Sequence, residues 1–286
     1  MPVSLWTDFL GCEICWVDVG GVPTRVLSAG EGDRTIVLLH GRGGHLESWR
    51  ANVTALARTQ RVVAFDLLGH GLTGRHSGGY AVEDLTDHAE RALDALGISH
   101  ALLCGQSLGG WVAVRLALRR ADLAGALALV VPAGLQSEDE RLADPATAAA
   151  YEKGGRAFEE PSPRAVRDRL EGLVSDPAAI DDELVETRRR LYLSPDARAV
   201  HRAVRVADNS RSLLTREVLE RLEPPVLLIH GERANTPLEV LRRAAEAARA
   251  RLVIVPGARQ WPQLERPREV NELLTEFAFQ AEVSPV

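Results

Sequence analysis

The sequence predicts an α/β fold: a mainly parallel, twisted sheet with helices on both faces and a helical insertion over one edge. Three observations carry this expectation. Short, continuously apolar runs recur along the chain, each with the length and composition of a strand buried on both faces. Helix-patterned stretches separate them, which is the alternation that builds parallel sheets. The alternation stops between about Gln136 and Thr215, where no strand-like run occurs. That segment is rich in Ala, Arg, Glu and Asp and carries helical periodicity, as in Asp181 to Leu193.

The elements follow in order. Glu13 to Val19 and Val22 to Ser28 flank Gly20-Gly21 and read as a hairpin. Arg34 to His40 and Arg61 to Asp66 are the first two buried strands. Val82 to Leu96 is a helix, with Gly97 placed to close it. Ala101 to Cys104 is the next strand, followed by a tight turn and a helix over Trp111 to Arg119. Ala126 to Val131, Val226 to Ile229 and Leu252 to Val255 complete the strands. Thr236-Pro237-Leu238-Glu239 has the pattern of a capping box with Pro at the first helical position. The core should therefore comprise residues 1–134 and 216–286, and residues 135–215 should form a helical cap over the C-terminal edge of the sheet. Ligands bind at that edge in open α/β sheets, so the cap is expected to act as a lid.

Composition narrows the function classes. A chain of 286 residues with 45% hydrophobic and 26% charged content is ordinary for a globular protein. Its net charge of -6 gives no reason to expect nucleic acid or an anionic membrane as partner. No apolar stretch approaches the roughly 20 residues needed to span a bilayer. The N-terminal MPVSLWTDFLGCEICW has neither a basic region nor a cleavage pattern, so a cytoplasmic location is expected. Cys12, Cys15 and Cys104 do not make a disulfide framework. Cys12 and Cys15 have redox or metal spacing but no second pair, and are read as ordinary strand residues. Lys153 is the single lysine among many arginines, which suggests a GC-rich, bacterial genome. No metal and no cofactor are expected. The expected partner is a small carbonyl-containing molecule, and homodimerisation is left open.

The chemistry sits in Gly105-Gln106-Ser107-Leu108-Gly109-Gly110. This is G-x-S-x-G between a strand and a helix. Glycines on both flanks let strand and helix approach closely, so that the Ser107 hydroxyl stands free above the sheet, near a helix N-terminus that favours negative charge. His40-Gly41-Arg42-Gly43-Gly44-His45 ends an earlier strand. Its Gly-rich backbone can offer the Arg42 N–H to an oxyanion, joined by the Leu108 N–H. Gln106, beside the serine, and His45, in the loop over the pocket, are expected to touch substrate. Asp66-Leu-Leu-Gly-His-Gly71 is a third landmark.

These motifs resemble the α/β-hydrolase superfamily over roughly residues 20 to 134 and 216 to 282. The closest likeness is to the meta-cleavage-product C–C hydrolases and related esterases. Gly257 to Pro267 resembles that branch's G-H-W-P-Q-x-E-x-P loop, and Val131-Pro-Ala-Gly-Leu135 its entry into the lid. Glu186-Thr187-Arg188 resembles its E-x-R, which implies that Arg188 faces the site and handles the anionic part of a substrate. Trp261 would line the substrate site.

The resemblance also implies a Ser–Asp–His triad, and here the sequence departs from it. The histidine position before Trp261 holds Gln260, with the register fixed by Trp261-Pro262-Gln263-Leu264-Glu265. The aspartate position, after His230-Gly231, is Ala234 or Asn235. A serine without a general base is a weak nucleophile. Losing the base of such a triad costs on the order of 10⁶ in kcat, while an oxyanion hole and pocket alone retain roughly 10³ to 10⁴ over water. His40, His70 and His230 read as structural, and His76, His88 and His100 lead away from the elbow. His45 and His201 remain as candidate replacement bases. Glu239 reads as a capping residue and Glu232 as solvent-facing.

Three functions are open at this point. One is a non-hydrolytic enzyme of cyclase, C–C lyase, isomerase or epimerase type, in which Ser107, Gln260 and Asn235 or Ala234 orient substrate. The second is a Ser-dependent hydrolase or acyltransferase with a relocated base. The third is a ligand-binding protein without catalysis. In each, conventional esterase activity should be weak or should depend on a histidine other than one at position 260.

Overall fold

The structure, a computed structural model, describes residues 4–280. The outermost limits of the expected core, at 1 and 286, lie outside the described residues. Eight strands form one sheet: β1 (Glu13–Val19), β2 (Val22–Ala29), β3 (Thr35–Leu39), β4 (Arg61–Phe65), β5 (Ala101–Gln106), β6 (Ala124–Val130), β7 (Val226–Gly231) and β8 (Arg251–Val255). Their order is β1-β2-β4-β3-β5-β6-β7-β8. β1 pairs antiparallel with β2, and β2 with β4; β3 to β8 are parallel.

The side-chain period of the strands divides the core in two. Val37 and Leu39 of β3 face one side, with α2 (Val82–Ala95) and α3 (Leu108–Arg119) against it. Ile36 and Leu38 face the other, where α1 (Val53–Leu56) and the C-terminal helix cover them. This is why the strands read as unbroken apolar runs: helices cover both faces. Burying each Leu or Val contributes about 1.5–3 kcal/mol.

Between β6 and β7 the chain contains α4 (Glu138–Leu142), α5 (Pro145–Glu159), α6 (Pro163–Glu171), α7 (Asp182–Tyr192), α8 (Pro195–Val206) and α9 (Arg216–Glu220). Their starts are set by local chemistry. Ser137 and Glu140 form a capping box on α4, and Asp144, Ser162 and Asp181 each accept a backbone N–H at the head of α5, α6 and α7. After β7 come α10 (Leu238–Ala247), β8, α11 (Pro262–Glu265) and α12 (Pro267–Gln280).

Several sequence expectations need correction. The helix after Ser107 begins at Leu108, not Trp111, because the elbow needs no spacer between strand and helix. β5 runs on to Gln106, since Gly105 and Gln106 pair with Leu129 and Val130. The capping box at Thr236 does not form: Pro237 is the extended residue before α10 and has no acceptor to offer. Cys12 precedes β1 rather than lying on it, while Cys15 is within the strand. Gly97 has φ +65°, the left-handed conformation expected just past a helix end.

Candidate active site

Ser107 sits where β5 turns directly into α3, at φ 51° and ψ -113°. A non-glycine residue there is strained at a cost of about 1–3 kcal/mol. The surroundings over-determine it: its N–H donates to Val130 O (3.0 Å), and its carbonyl accepts from Trp111 (3.1 Å) and Ala133 (3.0 Å). A Cβ on Gly109 would lie 2.3 Å from the Leu39 carbonyl oxygen, so only glycine lets α3 meet β3 here. Leu108 is the first residue of α3, so its N–H has no acceptor within the helix and stands at the positive end of the helix dipole. Among the described residues no group hydrogen-bonds the Ser107 Oγ.

The loop after β3 presses on this elbow. A Cβ on Gly41 would meet Gln106 Oε1 at 2.2 Å and Ser107 Cβ at 3.3 Å. A buried polar lattice fixes the loop from below. Arg25 donates to Asp66 (2.7 Å) and as a fork to both oxygens of Glu47 (2.8 Å each). Asp66 also accepts the Leu46 and Leu72 N–H groups, at 2.7 and 2.8 Å. Burial opposes the Glu47 charge, but hydrogen bonds from His45 and Arg25 outweigh it and hold the carboxyl well below its usual range. A neutral His45 suffices, because the uncharged ring can donate from Nδ1 to Glu47 (2.5 Å) and Arg25 is the cation. His40 accepts the Leu67 N–H on Nε2 (3.0 Å) and contacts the Gly41 carbonyl through Nδ1 (2.8 Å), the neutral tautomer of a packing residue.

From above, the insertion holds the same loop. Arg169 of α6 donates to the Arg42 carbonyl (3.2 Å), and Arg188 and Tyr192 of α7 donate to the Gly43 carbonyl (2.5 and 3.0 Å). Arg188 is only 1% exposed, and its guanidinium lies over the Trp261 ring at 5.5 Å. The Nε–H groups of Arg188 and Arg169 are buried with no partner, and neither residue pairs with a described carboxylate. Arg42 points its side chain at the insertion, to Glu138 of α4 (3.5 Å) and over the Tyr151 ring of α5 (4.9 Å).

Ser107, Leu108, Arg42, Gln106, Asn235, Gln260, Trp261 and Arg188 all border one cavity of about 790 Å³. The two candidates at the acid position separate: Asn235 borders the cavity, whereas Ala234 packs against the core. Gln260 is tied by its backbone, donating to the Leu173 carbonyl (3.0 Å) and accepting from Gln106 Nε2 (3.1 Å). No hydrogen bond joins its amide to Ser107. Asn235 Oδ1 accepts from Arg259 (3.2 Å). Glu232 is exposed and accepts the Gly257 N–H at 2.9 Å.

The two replacement-base candidates part company. His45 does not border this cavity; it borders a second one of about 290 Å³, with its Nε2 buried and unpartnered. His201 borders both cavities and is stacked on Phe158 at 3.6 Å. Burial, then the charges of Arg169, Arg42 and Arg205, push its basicity far below that of an ordinary histidine. Sequence reasoning missed Arg169, Tyr192 and Arg259. The first two lie in a segment where arginines are common and carry no motif; Arg259 adjoins Gln260.

A model of the alpha/beta hydrolase family matches residues 36–273. The chain belongs to this family. It is 29% identical over 276 residues to a 2-hydroxymuconate semialdehyde hydrolase of Pseudomonas sp. strain CF600, covering 93% of this chain and 94% of that one. It is 29% identical over 264 residues to the dihydrolipoyllysine-residue acetyltransferase component of an acetoin cleaving system from Pseudomonas putida, covering 91% of this chain and 68% of that one. A solved meta-cleavage product hydrolase from Pseudomonas fluorescens IP01 superposes with a TM-score of 0.81 at 26% identity, covering 93% of this chain and 98% of that one. The likeness to the meta-cleavage-product branch thus extends over nearly the whole chain. No described helix is long and apolar enough to cross a membrane, and no group of three or more His, Cys, Asp or Glu among the described residues could hold a metal ion.

Proposed function

We propose that this α/β-hydrolase family member is an enzyme that binds a small anionic carbonyl compound at Ser107 and converts it without hydrolysis, by cyclisation, C–C cleavage, isomerisation or epimerisation. The observation that carries the reading is the pairing of Gln260 and Asn235 with an intact elbow on one cavity. An amide donates and accepts hydrogen bonds but takes no proton near neutrality. Ser107 therefore acts as a hydrogen-bonding group rather than an activated nucleophile. The Leu108 and Arg42 N–H groups are assigned to a developing enolate or oxyanion, each such donor being worth roughly 3–4 kcal/mol in the transition state. Arg188, buried with an unpartnered Nε–H, is assigned to the substrate's acidic group. Residues 135–215 serve as the lid that keeps water out, which protects a reactive carbonyl intermediate from hydrolysis.

A second reading, a Ser-dependent hydrolase or acyltransferase with a relocated base, is supported by the presence of His201 on the same cavity. The suppressed basicity of His201 weighs against it. A serine-directed phosphonate and an activated aryl ester distinguish the two. The non-hydrolytic reading expects no prompt labelling of Ser107 and ester turnover near that of Ser107→Ala. Prompt labelling that disappears in His201→Gln establishes the second reading instead. Tight binding of carbonyl acids with no turnover of any would leave a binding protein.

A further inference from the structure

The acid–base side of the cavity carries a cation. Arg259 stands on the loop after β8, immediately before Gln260, and borders the cavity together with Asn235. Among the described residues its only side-chain hydrogen bond runs to a neutral amide, from Nη2 to Asn235 Oδ1 at 3.2 Å. It forms no ion pair with any described carboxylate. The nearby acids are engaged elsewhere: Glu265 accepts the backbone N–H groups of Ser175 (2.6 Å) and Arg259 itself (2.7 Å), and Glu232 accepts that of Gly257 (2.9 Å). Of the other carboxylates bordering the cavity, Glu138 pairs with Arg42 and Arg141, Glu140 and Asp144 cap α4 and α5, Asp168 lies 3.9 Å from Arg164, Asp208 accepts the Ser210 N–H, and Asp139 is exposed.

Arg259 precedes Gln260 in the chain, and Arg188 lies over the ring of Trp261, which follows it. Arg188 contacts Trp261 and the loop after β3; Arg259 contacts the loop after β7. In sheet order β3 is on one flank of β5, which carries Ser107, and β7 is on the other. Arg169 also borders the cavity without a described carboxylate partner, held on the Arg188 flank by the Arg42 carbonyl and over the Phe158 ring; with Arg259 alone on the opposite flank, the cavity is complementary to a molecule with an acidic group at each end. A guanidinium is the side chain best matched to a carboxylate, through paired N–H donors.

We propose that Arg259, oriented by Asn235, is a second anion-binding pole, and that the substrate is a carbonyl compound with two acidic groups, one at Arg259 and one at Arg188. This rests on the proposed role of Ser107 and Arg188 for the carbonyl and the first acidic group. The amide at 235 then has a reason: an aspartate there would pair with Arg259 and neutralise the pole.

The test is calorimetric titration of the full-length protein with linear α,ω-dicarboxylates from succinate to suberate and with their monomethyl esters. At least one diacid should bind about tenfold or more tightly than its ester. Arg259→Gln should erase that preference by bringing the diacid down to the affinity of its ester, and Arg259→Lys should keep part of it. Arg188→Gln should weaken both ligands. Equal affinity for every diacid and its ester, or a preference that survives in Arg259→Gln, overturns the proposal. Because the readout is binding, it stands apart from whether the reaction is hydrolytic. A diacid preference lost in Arg259→Gln but untouched in Arg188→Gln would uphold the Arg259 pole and overturn the assignment of Arg188.

Discussion

The loop after β3 and the loops after β7 and β8 border the same cavity on opposite flanks of Ser107, and they are built differently. The first is braced by the Arg25–Glu47–Asp66 lattice beneath and by Arg169, Arg188 and Tyr192 above. Its carbonyls are occupied and its carboxylates paired. The second holds its backbone through Leu173, Gln106 and Glu265, while its side chains toward the cavity are two amides and an arginine without an anionic partner. On the proposed function, the first flank holds a developing charge in place and the second offers two amides and an arginine where a proton would have to move.

The largest effect should come from giving the second flank a base. Gln260→His with Asn235→Asp supplies the missing pair, and a positioned base is worth about 10²–10⁴ in rate. Arg259 would capture the new aspartate, so the triple variant with Arg259→Gln should exceed the double in activated-ester turnover. No gain in either would mean that these loops do not occupy the base and acid positions.

The next effect separates the flanks by pH. Burial first, and then neighbouring positive or histidine charge, lowers the pKa of His40 and His45; burial also lowers that of His70. The unfolded chain takes up these protons near pH 6.5 and the folded chain only lower, so the unfolded state binds more protons as pH falls below 6.5. Stability from these groups is complete above that pH and declines below it. Glu47, ionised well below its ordinary 4.5, adds a further loss once pH drops under that value. On the second flank burial lowers the pKa of one histidine, His230, against three on the first, so hydrogen exchange at pH 7.5 and pH 5 should show protection falling more at the Gly41–Leu46 amides than at Gly257–Trp261. Equal loss on both flanks would remove the contrast.

The smallest effect probes a single brace. Tyr192→Phe removes one of two donors to the Gly43 carbonyl and should cost about 1 kcal/mol in urea unfolding. A cost several times larger would show that Arg188 alone cannot hold the loop.

Much of this was legible in sequence because its causes are local. Gly105 and Gly109 announce the elbow through the absence of a side chain, and the strands through unbroken apolar runs. Gln260 was placed by the neighbouring Trp261-Pro262 register. What failed was also local in kind but decided by small competitions. Thr236 had the letters of a capping residue, yet the extended Pro237 took the cap position. Helix α3 could start at Leu108 because the turn needed only Ser107.

By itself the sequence determined the fold class and the serine on its elbow, and it put neutral residues, Gln260 and Asn235, in the loops after β8 and β7, since residue types and short spacings are enough for these. Only the tertiary structure put Asn235 rather than Ala234 on the Ser107 cavity, turned His45 away from it, and brought Arg169, Arg188 and Arg259 around it. Those choices depend on where loops more than a hundred residues apart meet over the sheet edge. Nothing in the local pattern of an arginine records whether a carboxylate will be waiting for it.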